Sequence, residues 1–207
     1  MLGGINNMAK IKGWNPEIKR QKILNSAIQI LNRKEYHQCP IDEIAKNAGV
    51  AKGTIYLYFK NKEDLYFSVL INLIDKVIDI AENVQKNGLP AKKQLFLLLQ
   101  RISNFIDTYR HLFLSIRQEV KPPPKEKLHD QFHKKIGELI KAISVIIENG
   151  IKKKELKSYP SGVLATIFLS LTSVIAHQKI EIGKHKIQQI DISPELLFKI
   201  FMEGIAK

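Results

Sequence analysis

Apolar residues in this chain recur at intervals of three and four rather than two, and Gly and Pro punctuate them into segments of helical length. An all-α fold with essentially no β-structure is therefore expected. The sharpest punctuation comes early. Pro40 opens a short segment that carries Ile41, Ile44, Ala45 and Ala48 on one side, and Gly49 ends it with the positive φ that a tight interhelical turn commonly needs. A further helix is expected near Lys52 to Phe59. Helix, glycine turn and helix form the arrangement that places one helix in a DNA major groove, although many helical hairpins share this spacing.

The outward face of the second helix narrows the reading. With Ile55 and Phe59 as its buried pair, a step of about 100° per residue points Gly53, Leu57 and Lys60 away from the core. A glycine inside an exposed helix costs about 1 kcal/mol relative to Ala, so Gly53 needs a compensating reason, and close approach of a phosphate backbone supplies one. Around it Lys52, Thr54, Tyr56, Tyr58, Lys60 and Lys62 offer cations and hydroxyls, the groups that hold phosphates and read base edges. A merely solvated Lys/Tyr face is the plainer alternative.

The stretch IDEIAKNAGVAKGTIYLYFKNKEDLY, from Ile41 to Tyr66, closely resembles the TetR (tetracycline-repressor) family of transcriptional regulators. The pattern is carried by Ile44-Ala45, Ala48-Gly49-Val50, Lys52-Gly53-Thr54, Tyr56, Tyr58-Phe59, Lys60, Lys62-Glu63 and Leu65. The resemblance implies that the positions of Lys52, Gly53, Thr54, Tyr56, Tyr58 and Lys62 face DNA, Tyr56 reaching a phosphate. It also implies a helical body that binds an effector and changes the separation of two DNA-binding heads. Two residues depart from the pattern: Ala51 and Cys39 stand where the family often has a capping hydroxyl. The motif covers about an eighth of the chain and assigns no role after about Leu70.

Helices on either side of the motif follow from their caps. The first is expected from Asn15 as cap, with Pro16 at the first helical position and Glu17 in the positive-dipole turn, to about Arg33, burying Ile23, Leu24, Ala27, Ile28 and Leu31. Asn61 caps a long helix that runs to about Lys86 through Leu65, Val69, Leu73, Val77 and Ile80. The body then reads as helices near 90–108, 110–119, 125–149, 160–182 and 194–206, with a stiff connection at Lys121-Pro122-Pro123-Pro124. Two domains are expected: residues 1–62 as the DNA-binding head and 63–207 as the effector-binding and dimerisation body.

Charge supports that division. The chain carries a formal net charge of +13, and residues 1–62, with 11 Lys/Arg and 4 Asp/Glu, hold +7 of it. A polyanionic partner is expected at the head. Cys39 is the single cysteine, so no internal disulfide can form and a reducing, cytoplasmic setting is expected. The first residues lack a signal-peptide core, and the most apolar stretch, 163–176, is shorter than the roughly 20 residues of a membrane span. No membrane association is expected.

Two-fold operators demand a homodimer, because recognition helices must meet successive major grooves about 34 to 36 Å apart. Val163, Ile167, Ser170, Val174 and His177 can lie along one seam, and Leu196, Leu197, Ile200, Phe201 and Ile205 along another. The expected interface draws on Val163, Ile167, Val174, Leu197, Ile200 and Phe201. Phe96, Phe105, Tyr109, Phe113, Phe132 and Phe168 are candidates to line an apolar cavity for a small apolar or amphipathic effector, against ordinary core packing.

His129 and His133 with Glu126, and the series His177, Glu181 and His185, have helical spacings that suit a metal, but the first segment is strongly charged and Gly183 interrupts the second. No metal site or cofactor is expected. The chain holds no Gly-rich phosphate loop, no HExxH and no GxSxG, so no catalytic residues are expected. The expected function is a sequence-specific DNA-binding regulator, a repressor released from double-stranded operator DNA by its effector. The alternative is a basic helical ligand carrier or membrane-surface protein.

Overall fold

The computed structural model describes residues 15–112, 127–181 and 193–206. The 121–124 connection, Phe113, Glu126, His185 and most of the expected 110–119 helix lie outside these residues, as do the side chains of His129 and His177. The described chain is helical, and its one strand-like feature is an isolated bridge between Leu156 and Ala206. The helices are α1 (Pro16–Leu31), α2 (Ile41–Ala48), α3 (Lys52–Tyr58), α4 (Lys62–Gln85), α5 (Ala91–Thr108), α6 (Lys127–Lys152), α7 (Ser161–Glu181) and α8 (Pro194–Ile205). A 3-10 turn, Tyr36–Gln38, stands between α1 and α2.

The chain forms two compact units; the first comprises residues up to Asn72, inside α4, together with 111–129, and the second comprises 73–110 and 130–207. The expected boundary at residue 62 lies one helical segment earlier. The first turns of α4 belong to the head because Leu65, Tyr66 and Val69 are fully buried, and Gln21 of α1 exchanges amide hydrogen bonds with Asn72 at 3.2 and 3.4 Å.

Local chemistry starts each head helix. The Asn15 side chain accepts from the amides of Glu17 and Ile18, Pro16 needs no amide, and Glu17 sits in the positive first turn. Gly49 adopts φ 67°, a left-handed conformation that ends α2 and returns its own and the following amide to the helix carbonyls. Asn61 accepts from the Asp64 amide at 2.8 Å to cap α4. Neither Pro40 before α2 nor Ala51 before α3 supplies a side-chain cap, as the absent hydroxyls foretell.

In the body, α5 packs against α7 and α8. Leu95, Leu98, Leu99 and Ile102 of α5 share one apolar core with Ile143, Ile146 and Ile147 of α6, Leu164 and Phe168 of α7, and Phe198, Phe201 and Met202 of α8. A clasp closes one end. The Glu155 carboxylate accepts from the Ala91 amide that opens α5, at 2.5 Å, and the Lys157 amide donates to the Ile205 carbonyl that ends α8, at 2.8 Å. Gly150 makes the close approach possible, since a Cβ there would fall 2.5 Å from the Cβ of Ala91 and 2.8 Å from Leu156. Among the described residues no helix is long and apolar enough to cross a membrane.

Candidate nucleic-acid interface

Helix α3 is held from behind. Ile55 and Phe59 are buried, the Arg20 guanidinium of α1 covers the Phe59 ring at 5.5 Å, and the Thr54 amide donates to Ala51 at 2.9 Å. The helix preceding it is pinned by a polar relay that sequence reading missed, running from a buried bond of the Ser26 hydroxyl to the Ile44 carbonyl at 2.8 Å out to the exposed Asn47, whose amide donates to Ser26 and to Gln29. A lone serine between Ile23 and Ile30 on the apolar side of α1 was its only signal.

Gly53, Tyr56, Leu57 and Lys60 stand exposed on the outer side, with Lys52 beside them and Thr54 half-buried. Tyr56 is 48% and Leu57 44% exposed, an unusual amount of large apolar surface for a seven-residue helix. Gly53 has ordinary helical φ, and a Cβ built on it would meet nothing within 4 Å. Neither backbone strain nor internal packing explains this glycine. The Lys52 ammonium pairs with Asp42 at 2.9 Å, which raises its pKa. Both groups are more than half exposed, so the pair contributes little and can exchange for a phosphate.

Two expected donors are turned elsewhere. The expectation that Tyr58 offers its hydroxyl outward is corrected: the hydroxyl is buried with no hydrogen-bond partner, and burial pushes its pKa up. Tyr58 follows Leu57 by one position, and the roughly 100° helical step swings it from the exposed face toward the flank of the head. The Lys62 ammonium donates to the Tyr36 carbonyl at 2.6 Å and lies 4.2 Å from the Tyr36 ring centre and 5.6 Å from that of Tyr66, whose ring packs edge-on against Tyr36. It ties the start of α4 to the 3-10 turn. Tyr66 reaches the Cys39 carbonyl, and the Cys39 thiol, buried and hydrogen-bonded to the Glu35 carbonyl at 3.2 Å, has its pKa raised by that burial.

The body's expected residues separate into inner and outer sets. Val163, Ile167 and Val174 of α7 are exposed together, as are Leu196 and Ile200 of α8. Phe201 is corrected from interface to core: it is 7% exposed, packs on Phe168 with ring centres 5.7 Å apart, and looks inward with Phe198, Met202 and Ile205. Leu197 is partly buried against the same core. Of the aromatic candidates for the effector cavity, Phe168 is fully buried, Phe96 packs on Phe198 at 5.1 Å, and Phe105 pairs with Tyr109 at 4.7 Å. Phe132 is half-buried beside the exposed His133. A cleft of about 300 Å³ between α5 and α8 is lined by Leu97, Gln100, Arg101, Ser103, Asn104, Pro194 and Glu195, none of them an expected ligand residue.

The family model described as bacterial regulatory proteins, tetR family, matches residues 23–69, which run from α1 through α3 into α4. The fatty acid metabolism regulator protein of Bacillus subtilis strain 168 is 32% identical over 143 residues, covering 67% of this chain and 71% of that protein. Solved structures share the fold. A TetR-family transcriptional regulator from Mesorhizobium loti MAFF303099 gives a TM-score of 0.73 at 18% identity, covering 94% of this chain and 100% of that one. The transcriptional regulator FadR from Bacillus subtilis, crystallised with stearoyl-CoA, gives 0.66 at 23% identity, covering 89% and 98%. A packed helix-turn-helix with a donor-bearing outer face, the family match over that same segment and the relative aligned well beyond it agree: the chain belongs to the tetR family of bacterial regulatory proteins and is a DNA-binding transcriptional regulator, not an enzyme.

Proposed function

We propose that this regulator is a cytoplasmic repressor that grips a two-fold operator through α3 of each protomer and is released by an acyl-chain effector of the acyl-CoA class. Gly53 carries the DNA reading. It lies in the first turn of an exposed helix, and among the described residues nothing uses the space it leaves open. A nucleic-acid backbone approaching that face uses it. Tyr56, Lys60 and Thr54 then serve as phosphate and base-edge donors, and Lys52 joins them by leaving Asp42.

Dimerisation through α7 and α8 is supported by the exposed seam of Val163, Ile167, Val174, Leu196 and Ile200. Two exposed hydroxyls along α7 are bonded within the helix. Thr166 bonds back to the Gly162 carbonyl at 2.8 Å and Ser170 to the Thr166 carbonyl at 2.9 Å. The effector class is supported by similarity to a fatty acid metabolism regulator and to a regulator crystallised with stearoyl-CoA.

The test is selection of bound sites from random DNA, followed by binding titrations of wild type and Gly53→Ala. A shared palindromic half-site is expected, and the added methyl should weaken operator binding about tenfold, or 1.4 kcal/mol, while leaving the protein folded. Long-chain acyl-CoA is then titrated with and without operator. A hundredfold release of DNA requires about 2.7 kcal/mol of coupling and an equal weakening of effector binding by operator. Unchanged DNA affinity in Gly53→Ala removes α3 from the interface, and acyl-CoA that leaves DNA bound removes the effector assignment.

A further inference from the structure

Helix α3 reads Lys52-Gly53-Thr54-Ile55-Tyr56-Leu57-Tyr58. In the major groove a forked Arg reads guanine, an Asn or Gln amide reads adenine, and a carboxylate reads the cytosine amino group. The helix contains none of these side chains; its Lys52, which can also meet guanine, pairs with Asp42, and the Thr54 hydroxyl can meet more than one base. Its outer face offers the bare backbone of Gly53, the phenol of Tyr56 and the isobutyl group of Leu57. The core behind the helix is filled by Ile55 and Phe59, so Leu57 is not required there.

Gly53 and Leu57 are four residues apart and share one face of the helix. A groove surface that comes close to the backbone at Gly53 therefore meets Leu57 one turn later. Of the groups on base edges in the major groove, the one that an isobutyl side chain can recognise is the thymine 5-methyl. We infer that Leu57 is a specificity-determining residue that packs against a thymine methyl, so that each operator half-site carries a thymine at the position facing it. The inference rests on the proposed entry of α3 into the major groove.

The experiment takes the palindrome recovered by selection with the full-length protein and replaces one thymine at a time, in both half-sites, with deoxyuridine. This deletes the 5-methyl and keeps base pairing. Burial of one methyl group corresponds to about a fourfold change in affinity, so one position should show that loss per half-site in fluorescence anisotropy. In Leu57→Ala, whose side chain is exposed and whose fold is checked by thermal melting, the same position should become indifferent to uracil while other positions keep their sensitivities. Leu57→Met, which stays apolar, should retain the uracil penalty. A full penalty in Leu57→Ala, or a wild type indifferent to uracil at every thymine, overturns the assignment and leaves DNA binding by α3 standing. A selection that returns no shared half-site overturns both.

Discussion

Gly53 in the head and Gly150 in the body both lie within helices, and their surroundings are opposite. A methyl group on Gly53 would enter open space, whereas one on Gly150 would collide with Ala91 and Leu156. The body's glycine serves the protein's own packing, and no packing among the described residues accounts for the head's glycine. The same contrast runs through both regions. The head packs its own buried Ile23, Ile44, Ile55 and Leu65, adds polar bonds such as Ser26 to Ile44 and Lys62 to Tyr36, and turns donors outward. The body fixes long helices with one apolar core and turns an apolar seam outward.

The contrast can be broken most severely inside the body. Phe168→Ala removes a fully buried ring that contacts Phe201, and denaturant titration should show a loss of about 3–5 kcal/mol. A loss below 1 kcal/mol would mean that the core is not the body's main support. Ile200, 59% exposed, tests the outer seam: Ile200→Asp should leave the protomer folded but monomeric by light scattering, and should weaken operator binding about a hundredfold, or 2.7 kcal/mol. A dimer that survives this change is built on another surface.

Gly150→Ala should destabilise by about 1–3 kcal/mol through overpacking while the folded protein keeps its operator affinity. If it behaved as Gly53→Ala does, with stability kept and DNA binding lost, the distinction between the two glycines would collapse. The smallest effect is expected at Tyr58, whose buried hydroxyl lacks a partner. Tyr58→Phe should be neutral or stabilising by up to about 1 kcal/mol in thermal melts, with DNA affinity unchanged. A lost unit of salt slope in this variant would instead place that hydroxyl on a phosphate.

The features legible in the sequence lie where neighbours along the chain set the conformation. The Asn15 and Asn61 caps, the left-handed Gly49 turn, the buried pair Ile55 and Phe59, and the outward Gly53 and Leu57 all follow from spacing within a few residues. The family pattern occupies the same local stretch. Where the chain meets itself at long range, tertiary structure decided. Helix α8 keeps its charges on one row, Glu195, Lys199 and Glu203, and is apolar over the rest of its circumference, so its periodicity could not say that Phe201 looks inward and Ile200 outward. The Lys62 ammonium lies on the carbonyl and ring of Tyr36, 26 residues earlier, and the Ser26 hydroxyl on a carbonyl 18 residues later. A side chain's type states what it can bond to, but only packing brings the partner within reach, and burial then makes leaving it unbonded costly.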